Sequence, residues 1–235
     1  MPFTVSANDL QPILSAMNKR IETVLFDLDG TLLDTAPDLA NALNAVLQRN
    51  GHAPLPFEQI RPVVSHGGSA LIQRGFNLQP DHPDFEPLRK QLLDYYVEHI
   101  ADETTLFPGM AEVLENIERN GLKWGVVTNK PAWLTEPLMA ALDLSQRAAG
   151  IVSGDTLNER KPHPAPLLYA CEMIGSTPDQ CLYVGDAKRD IEAGHNAGMP
   201  TLVAMFGYLM EEDTPEDWGA TAMIESPVEI LDWIR

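Results

Sequence analysis

Short apolar segments alternate with longer amphipathic ones from residue 107 to residue 204, and this alternation limits the possible folds more than any other feature. Strands that alternate with helices along a chain form a parallel α/β sheet. The pattern predicts strands at 123–128, 149–152, 181–185 and 200–204, with helices at 110–120, 131–143, 164–174 and 188–197. The predicted fold class is therefore α/β, with a Rossmann-like parallel sheet as its core.

A further buried strand is predicted at 23–26, and the chain from about Pro37 to Asp102 has a helical pattern throughout. We interpret this block as a small all-helical cap domain inserted after the first strand, over the sheet edge where such folds bind ligands. The predicted division is an N-terminal extension at 1–20, an α/β catalytic core at 21–36 and 105–235, and a helical cap at 37–104.

Local signals predict how the cap is built. Thr35 is expected to cap its first helix, with Pro37 in the first turn and Asp38 near the exposed backbone amides. That helix is expected to end near 50–51. Further helices are expected at about 57–64 and 85–100, with a turn at 65–68.

Composition excludes several classes of protein. A formal net charge of -18 and a pI near 4.5 oppose binding to nucleic acid or to an anionic membrane surface. The first twenty residues lack the features of a secretory signal and no apolar run reaches spanning length, so we expect a cytoplasmic protein.

Cys171 and Cys181 show neither CxxC spacing nor a histidine cluster, which favours two buried free thiols over a disulfide or zinc site. We also hypothesise that translation begins at Met17.

Two acidic residues, Asp27 and Asp29, follow the first predicted strand, and the two-residue period of a strand points both carboxylates in one direction. Gly30 then permits a tight turn away from the strand. Such a pair can hold a divalent cation or divide the roles of nucleophile and proton donor between its members. Taken alone, the motif is equally compatible with two solvated acids in a turn.

Three further groups of polar residues lie at the same predicted edge of the sheet. Thr128 offers a hydroxyl to a phosphate oxygen, and the residues after it offer backbone amides. Lys161 offers a cation from a proline-flanked loop, and Asp186 and Asp190 offer oxygen ligands that suit Mg2+. Each group has a plainer interpretation, as a helix cap or a solvated charge. Their joint occurrence at one edge indicates an active site.

These motifs resemble those of the haloacid dehalogenase-like superfamily, from residue 21 to about residue 225, and the insertion is similar to the cap of its sugar-phosphate phosphatases and phosphoglycolate phosphatases. The resemblance implies that Asp27 attacks phosphorus and forms an aspartyl phosphate, while Asp29 protonates the leaving alkoxide and later activates water. Thr128 and Lys161 are implied to hold the phosphate oxygens and Asp27. The acid at position 29 distinguishes the chain from dehalogenases and phosphonatases, and points to phosphate esters.

The resemblance also implies a Mg2+ cofactor. The ion is expected between Asp27, the backbone carbonyl of Asp29 and Asp186, with Asp190 in support. It would allow two anions to approach each other, which a chain of this negative charge otherwise opposes. The implied partner is a small phosphorylated metabolite, bound by a monomer or a homodimer.

The cap turn that selects the leaving group in this family corresponds here to Arg61 to Gly68. Candidate substrate-binding residues are Arg61, His66 and Gly67 in this turn, together with Asn129 in the core. Arg61 or His66 is expected to meet a substrate carboxylate. The alternatives are that Arg61 pairs with acidic residues of the cap and that His66 is solvated.

Two substrates follow from the resemblance. The chain is phosphoglycolate phosphatase-like, but phosphoglycolate phosphatases carry a different glycine-rich sequence at the cap turn. That turn, with Gly207-Tyr208 and Trp218-Gly219-Ala220, is more similar to the branch that acts on N-acetylmuramic acid 6-phosphate. Two other classes are considered: a sugar phosphomutase, which would share every catalytic residue, and a non-catalytic binding protein, which the intact motifs disfavour.

Overall fold

The computed structural model describes residues 20–234, and its core is a parallel sheet of six strands in the order β5-β4-β1-β6-β7-β8. A separate antiparallel pair, β2 with β3, connects this core to the helical insertion. The strands are β1 Thr23–Phe26, β2 Leu33–Asp34, β3 Thr105–Leu106, β4 Lys123–Val127, β5 Ile151–Val152, β6 Cys181–Gly185, β7 Thr201–Ala204 and β8 Ala222–Ile224. The predicted α/β fold class with a parallel sheet is confirmed.

Helices lie between the strands of the sheet and fill the insertion. Their bounds are α1 Ala36–Arg49, α2 Phe57–Ile60, α3 Gly67–Phe76, α4 Phe85–Glu98, α5 Met110–Arg119, α6 Ala132–Ala141, α7 Ala165–Ile174 and α8 Lys188–Ala197. Shorter 3-10 segments occupy Arg61–His66, Pro178–Gln180, Pro215–Asp217 and Pro227–Asp232. Within residues 20–234, no helix is long and apolar enough to cross a membrane.

The central position of β1 follows from its sequence. All four of its residues are buried, and it pairs with β4 on one side and β6 on the other. Alternate residues pack on opposite faces: Val24 and Phe26 join the larger core cluster, whereas Leu25 joins a smaller cluster with Val127 and other residues. After Thr23 the strand is apolar, as expected for a strand buried on both faces, and the next polar residue, Asp27, therefore marks the sheet's carboxyl edge.

The insertion between β2 and β3 consists of α1 to α4 and the 3-10 segment Arg61–His66. Asp38 anchors its two ends to each other: its carboxylate accepts hydrogen bonds from the backbone N–H groups of Glu103 and Thr104 and from the Thr104 hydroxyl, at 2.7–3.1 Å. These charge-assisted hydrogen bonds satisfy an acid that is only 2% exposed. The helical cap inserted after the first strand is thus part of the observed fold.

Local predictions at the start of the cap differ from the structure in three respects. Thr35 precedes α1 as predicted, but its hydroxyl donates to Asp29 Oδ1 at 2.7 Å and does not cap the helix. Asp38 lies in the first turn of α1 as predicted, and its carboxylate accepts hydrogen bonds from the residues before β3. The predicted helix at 57–64 is divided, because Pro62 has no N–H with which to continue α2. The expected turn at 65–68 is replaced by a 3-10 segment that Gly67, at φ +76°, joins to α3.

The predicted element bounds agree closely elsewhere. β6 and α8 have the predicted residues, and the helix expected at 85–100 is observed as Phe85–Glu98. β5 is shorter than predicted, and the short strands β2, β3 and β8 were not predicted. The N-terminal extension at 1–20, except for residue 20, and the hypothesis that translation begins at Met17 lie outside the described residues.

Candidate active site

Three buried acids converge at the carboxyl edge of the sheet. Asp27 follows β1, Asp186 follows the neighbouring strand β6, and Asp190 lies in the first turn of α8. One carboxylate oxygen of each lies within 4.8 Å of the others, and the three residues are 3%, 1% and 0% exposed. Like charges this close in a dry site repel strongly, so the cluster requires compensating cations.

Lys161 supplies one of these cations from the loop between β5 and α7. Its Nζ lies 2.8 Å from Asp27 Oδ1 and 2.7 Å from Asp190 Oδ1, and its side chain is only 1% exposed. The same Nζ donates to the Val127 carbonyl and contacts the Tyr183 hydroxyl, each at 2.8 Å. The ammonium group is therefore fixed between two acids by four contacts, which satisfies the expectation that a buried charge is paired.

Asp186 retains an oxygen suited to bind a cation. Its Oδ2 accepts hydrogen bonds from the Tyr208 backbone N–H at 2.9 Å and the Ser65 hydroxyl at 2.7 Å. Its Oδ1, although buried, has no hydrogen-bond partner among the described residues. Burial, with repulsion from Asp27 and then Asp190, raises the pKa of Asp186 to about 7 when no metal is bound. An orphaned carboxylate oxygen in an acid cluster fits a hard divalent cation with oxygen ligands.

Asp29 belongs to a separate pair beside this cluster. Its Oδ1 accepts hydrogen bonds from Lys130 Nζ at 2.9 Å and from the Thr35 hydroxyl at 2.7 Å. Lys130 also donates to the hydroxyl of Tyr96, a cap residue in α4, at 3.0 Å. Burial opposes the charge on Lys130, but Asp29 and Tyr96 raise the pKa of this lysine above its usual value. Asp29 is thus held in one orientation at the interface of core and cap.

Thr128 and Asn129 follow β4 and differ in what they contact. The Thr128 N–H donates to the Val152 carbonyl and its Oγ1 accepts from the Lys130 N–H at 3.1 Å. The Asn129 side chain makes two hydrogen bonds to the backbone of Lys161, at 3.0 and 3.1 Å. Asn129 therefore joins the ends of two loops and fixes the backbone that carries Lys161.

A cavity of about 880 Å³ opens above these residues, between core and cap. Asp27, Asp29 and Thr128 line its core side, and His66 and Gly67 line its cap side. Asn129, Arg160, Arg189 and Trp133 also contribute to its walls. Such a cavity, with charged groups converging at its floor, is the usual form of a ligand site.

Arg61 lies away from this cavity. Its guanidinium donates to the Phe206 carbonyl at 2.9 Å and lies 4.9 Å from the centre of the Tyr208 ring. These contacts join the cap's 3-10 segment to the core loop after β7. The structure therefore brings together the other predicted site residues: six of them line the cavity, and Lys161, Asp186 and Asp190 lie beside Asp27, whereas Arg61 is not part of the cavity lining.

Four residues of the site were not identified from the sequence: Lys130, Ser65, Tyr183 and Arg189. Lys130 and Arg189 are adjacent to identified motifs, so proximity in sequence was a signal for both. Tyr183 lies inside a buried strand, where its hydroxyl requires a partner. Ser65 lies within the predicted cap turn, but its contact with Asp186 could not be predicted, because that contact depends on how the cap packs on the core.

A parallel sheet whose central strand ends in paired aspartates, opposite a lysine and a second acid pair, defines one class of enzyme. The sequence model of the haloacid dehalogenase-like hydrolase family matches residues 24–204 of this chain. The chain belongs to that family, which confirms the resemblance found in its motifs.

Similar proteins carry two different phosphatase names. An N-acetylmuramic acid 6-phosphate phosphatase of Pseudomonas aeruginosa is 43% identical over 213 residues, which cover 91% of this chain and 94% of the relative. A phosphoglycolate phosphatase of Xylella fastidiosa is 45% identical over 205 residues, covering 87% and 89%. The crystal structure of a predicted phosphoglycolate phosphatase from Haemophilus somnus shares 29% identity and a TM-score of 0.80, covering 92% and 98%.

Proposed function

We propose that this hydrolase is a Mg2+-dependent phosphatase that cleaves a small phosphate monoester through an aspartyl phosphate on Asp27. The observation that carries the proposal is the position of Asp27, which lines the cavity and also belongs to the buried cluster with Lys161, Asp186 and Asp190. A nucleophile placed against a cation site and open to a cavity can approach an anionic phosphate.

The reaction consists of two displacements at phosphorus. A carboxylate oxygen of Asp27 bonds to phosphorus as the bond to the leaving-group oxygen breaks, and Asp29 gives its proton to that oxygen. Asp29 then takes a proton from water, whose oxygen attacks phosphorus and breaks the bond to Asp27. The fixed orientation of Asp29 by Lys130 and Thr35 supports this role, because proton transfer depends on geometry.

Lys161 and Thr128 support the nucleophile and the transferred group. Lys161 Nζ keeps Asp27 in place from one side through its contact with Oδ1. In this proposal the Thr128 hydroxyl, on the cavity wall, donates to a phosphate oxygen. These residues supply positioning and positive charge, from which most of the acceleration in phosphoryl transfer arises.

The metal would be held by the carboxylates of Asp27 and Asp186 and by the backbone carbonyl of Asp29, with Asp190 in support. The unpartnered Oδ1 of Asp186 and the mutual proximity of three acids support this donor set. When bound, Mg2+ supplies the positive charge that lets an anionic ester meet an anionic nucleophile. Asp190 also accepts from the Ala187 N–H and contacts Lys161, so it fixes the loop that carries Asp186.

We propose N-acetylmuramic acid 6-phosphate as the physiological substrate in preference to 2-phosphoglycolate. A cavity of about 880 Å³ is within the range that accommodates drug-sized ligands and greatly exceeds what a two-carbon acid fills. Trp133 lines this cavity and is 50% exposed, which offers a flat apolar surface to a sugar ring. The names of the similar proteins include both substrates. In this proposal residues 37–104 act as a cap that closes over the sugar.

The experiment combines a panel of phosphate esters with a nucleophile variant. Purified protein with Mg2+ is given N-acetylmuramic acid 6-phosphate, 2-phosphoglycolate and β-glucose 1-phosphate, and both free phosphate and isomerised sugar are measured. We expect phosphate release, lost in Asp27→Asn and kept in the control Asp84→Asn, whose side chain is 72% exposed. Activity in Asp27→Asn, or sugar isomerisation without phosphate release, would contradict the proposal; the second result would indicate a mutase.

A further inference from the structure

Arg189 is a cation whose charge the proposed reaction does not use. It is the second residue of α8, between Asp186 and Asp190 in the chain, and its half-buried side chain lines the cavity. Its Nη2 donates to the Ser65 carbonyl at 2.8 Å. A guanidinium has five N–H donors, so one contact leaves most of them for another acceptor.

Each of the other cationic side chains in the cavity wall is either paired with an acidic residue or exposed to water. Lys130, Arg89 and Lys90 each form an ion pair, with Asp29, Glu86 and Asp94 respectively. Arg160 is exposed to water, which screens its charge. Arg189 forms no ion pair with a carboxylate among residues 20–234, although, against the effect of burial, the charges of Asp190, Asp27 and Asp186 nearby raise its pKa. It is therefore the half-buried cation of the cavity that best suits an anionic group of a ligand.

His66 lies next to Ser65 on the same side of the cavity. Partial burial and then the charge of Arg189 lower the pKa of His66, which favours the neutral imidazole. A neutral imidazole can donate one hydrogen bond beside a guanidinium without adding like charge. Arg189 and His66 together therefore offer donors with a single positive charge.

We propose that Arg189, assisted by His66, binds a carboxylate on the leaving group of the substrate. Because this inference rests on the proposed phosphatase function, it deepens that function by assigning specificity. A chain with a net charge of -18 repels carboxylated esters at long range, so selecting them requires a local cation. The planar guanidinium also matches a carboxylate in geometry.

Ser65 links the carboxylate site to the phosphate site. Its carbonyl accepts from Arg189, while its hydroxyl donates to Asp186 Oδ2 at 2.7 Å. Arg189 and Asp186 are three residues apart on one rigid strand-helix junction, and both contact the same cap residue. The spacing between bound phosphate and bound carboxylate is thus fixed by the fold, which would make the preference depend on ligand length.

The test uses two pairs of esters that differ in the carboxylate. N-Acetylmuramic acid 6-phosphate differs from N-acetylglucosamine 6-phosphate by its lactyl ether, and 2-phosphoglycolate is compared with ethyl phosphate. We expect Arg189→Gln to lower kcat/KM for the preferred carboxylated ester about 10- to 100-fold, mainly through KM, as for loss of a charged hydrogen bond. The uncarboxylated partner should change little, Arg189→Lys should restore part of the preference, and Arg119→Gln, at a side chain that is 68% exposed and outside the cavity, serves as the control.

The outcomes separate this inference from the proposed function. If wild-type protein releases phosphate from no ester, the proposed function fails and the inference with it. If wild-type protein is active but prefers neither carboxylated ester, or if Arg189→Gln weakens both members of a pair equally, only the inference is overturned.

Binding to Asp27→Asn, measured by calorimetry, gives a second readout: Arg189→Gln on that background should remove the difference in Kd within the preferred pair. Whichever pair shows the difference identifies the source of the carboxylate.

Discussion

Replacing Lys161 with methionine tests how the acid cluster is stabilised. The Lys161 side chain is 1% exposed and contacts Asp27 and Asp190, whose side chains are 4% and 0% exposed. Methionine retains an unbranched chain but removes the charge, which leaves two buried acids without their cation. Removing one partner of a buried ion pair costs about 3–5 kcal/mol, so we expect the free energy of unfolding to fall by about that amount at pH 8.

The size of this loss should depend on pH. Burial raises the pKa of Asp190 even in the presence of Lys161, and removing Lys161 eliminates an interaction that lowers it. The folded variant then binds more protons than the unfolded chain above the ordinary pKa of an aspartate, so its stability falls as pH rises. The deficit should therefore be larger at pH 8 than at pH 5, because the raised pKa of Asp190 lets more of this acid be neutral at the lower pH.

The assay is urea unfolding in EDTA, followed by tryptophan fluorescence, at both pH values. Lys90→Met is the control, because Lys90 pairs with Asp94 at the surface, where its side chain is 76% exposed and the pair is worth about 0–1 kcal/mol. Adding Asp190→Asn to Lys161→Met should recover part of the loss, since it removes one uncompensated charge. A loss below about 1 kcal/mol at pH 8, or one that does not vary with pH, would refute the reasoning.

Three further predictions concern catalysis and metal binding. Lys130→Met should lower kcat about 10- to 100-fold in steady-state assays, because it frees Asp29 from its fixed orientation; an unchanged kcat would contradict that role. Gly30→Ala should weaken Mg2+ binding in calorimetry, since a Cβ there would lie 2.1 Å from Asp186 Oδ2, whereas Gly51→Ala, also at positive φ but with nothing within 4 Å, should not. Equal effects of the two substitutions would exclude this contact as the cause. Mg2+ affinity should be about tenfold weaker at pH 6 than at pH 8, because the pKa of metal-free Asp186 is about 7 and binding must displace its proton; an affinity that does not vary between these pH values would contradict this.

The sequence predicted those parts of the fold that depend on local periodicity. β6 and α8 were predicted with the observed bounds, because an apolar strand ends at Gly185 and an amphipathic helix follows. The strands β2, β3 and β8 are two or three residues long and hold no measurable periodicity. Thr35 carried a typical helix-capping signal, but tertiary contact with Asp29 determines where its hydroxyl points.

The active site shows the same difference between residues that local sequence patterns identify and contacts that depend on tertiary structure. Asp27, Thr128 and Asp186 could be identified because each directly follows a strand of a parallel sheet, and such residues share one edge. Contacts between cap and core could not be predicted, since helical periodicity identifies a buried face but not the residue that it meets. For this reason the cap arginine expected to face the substrate was Arg61, whereas the structure turns Arg61 toward Phe206 and places Arg189 in the cavity.

The stereochemistry at phosphorus tests the central claim, a covalent intermediate on Asp27, most directly. A phosphorothioate monoester made chiral at phosphorus with two oxygen isotopes is hydrolysed in water labelled with the third isotope, and the configuration of the released inorganic thiophosphate is determined. Each in-line displacement inverts phosphorus, so attack by Asp27 followed by attack of water predicts overall retention. Overall inversion would mean that water attacks the ester directly, and would contradict the role of Asp27 as nucleophile.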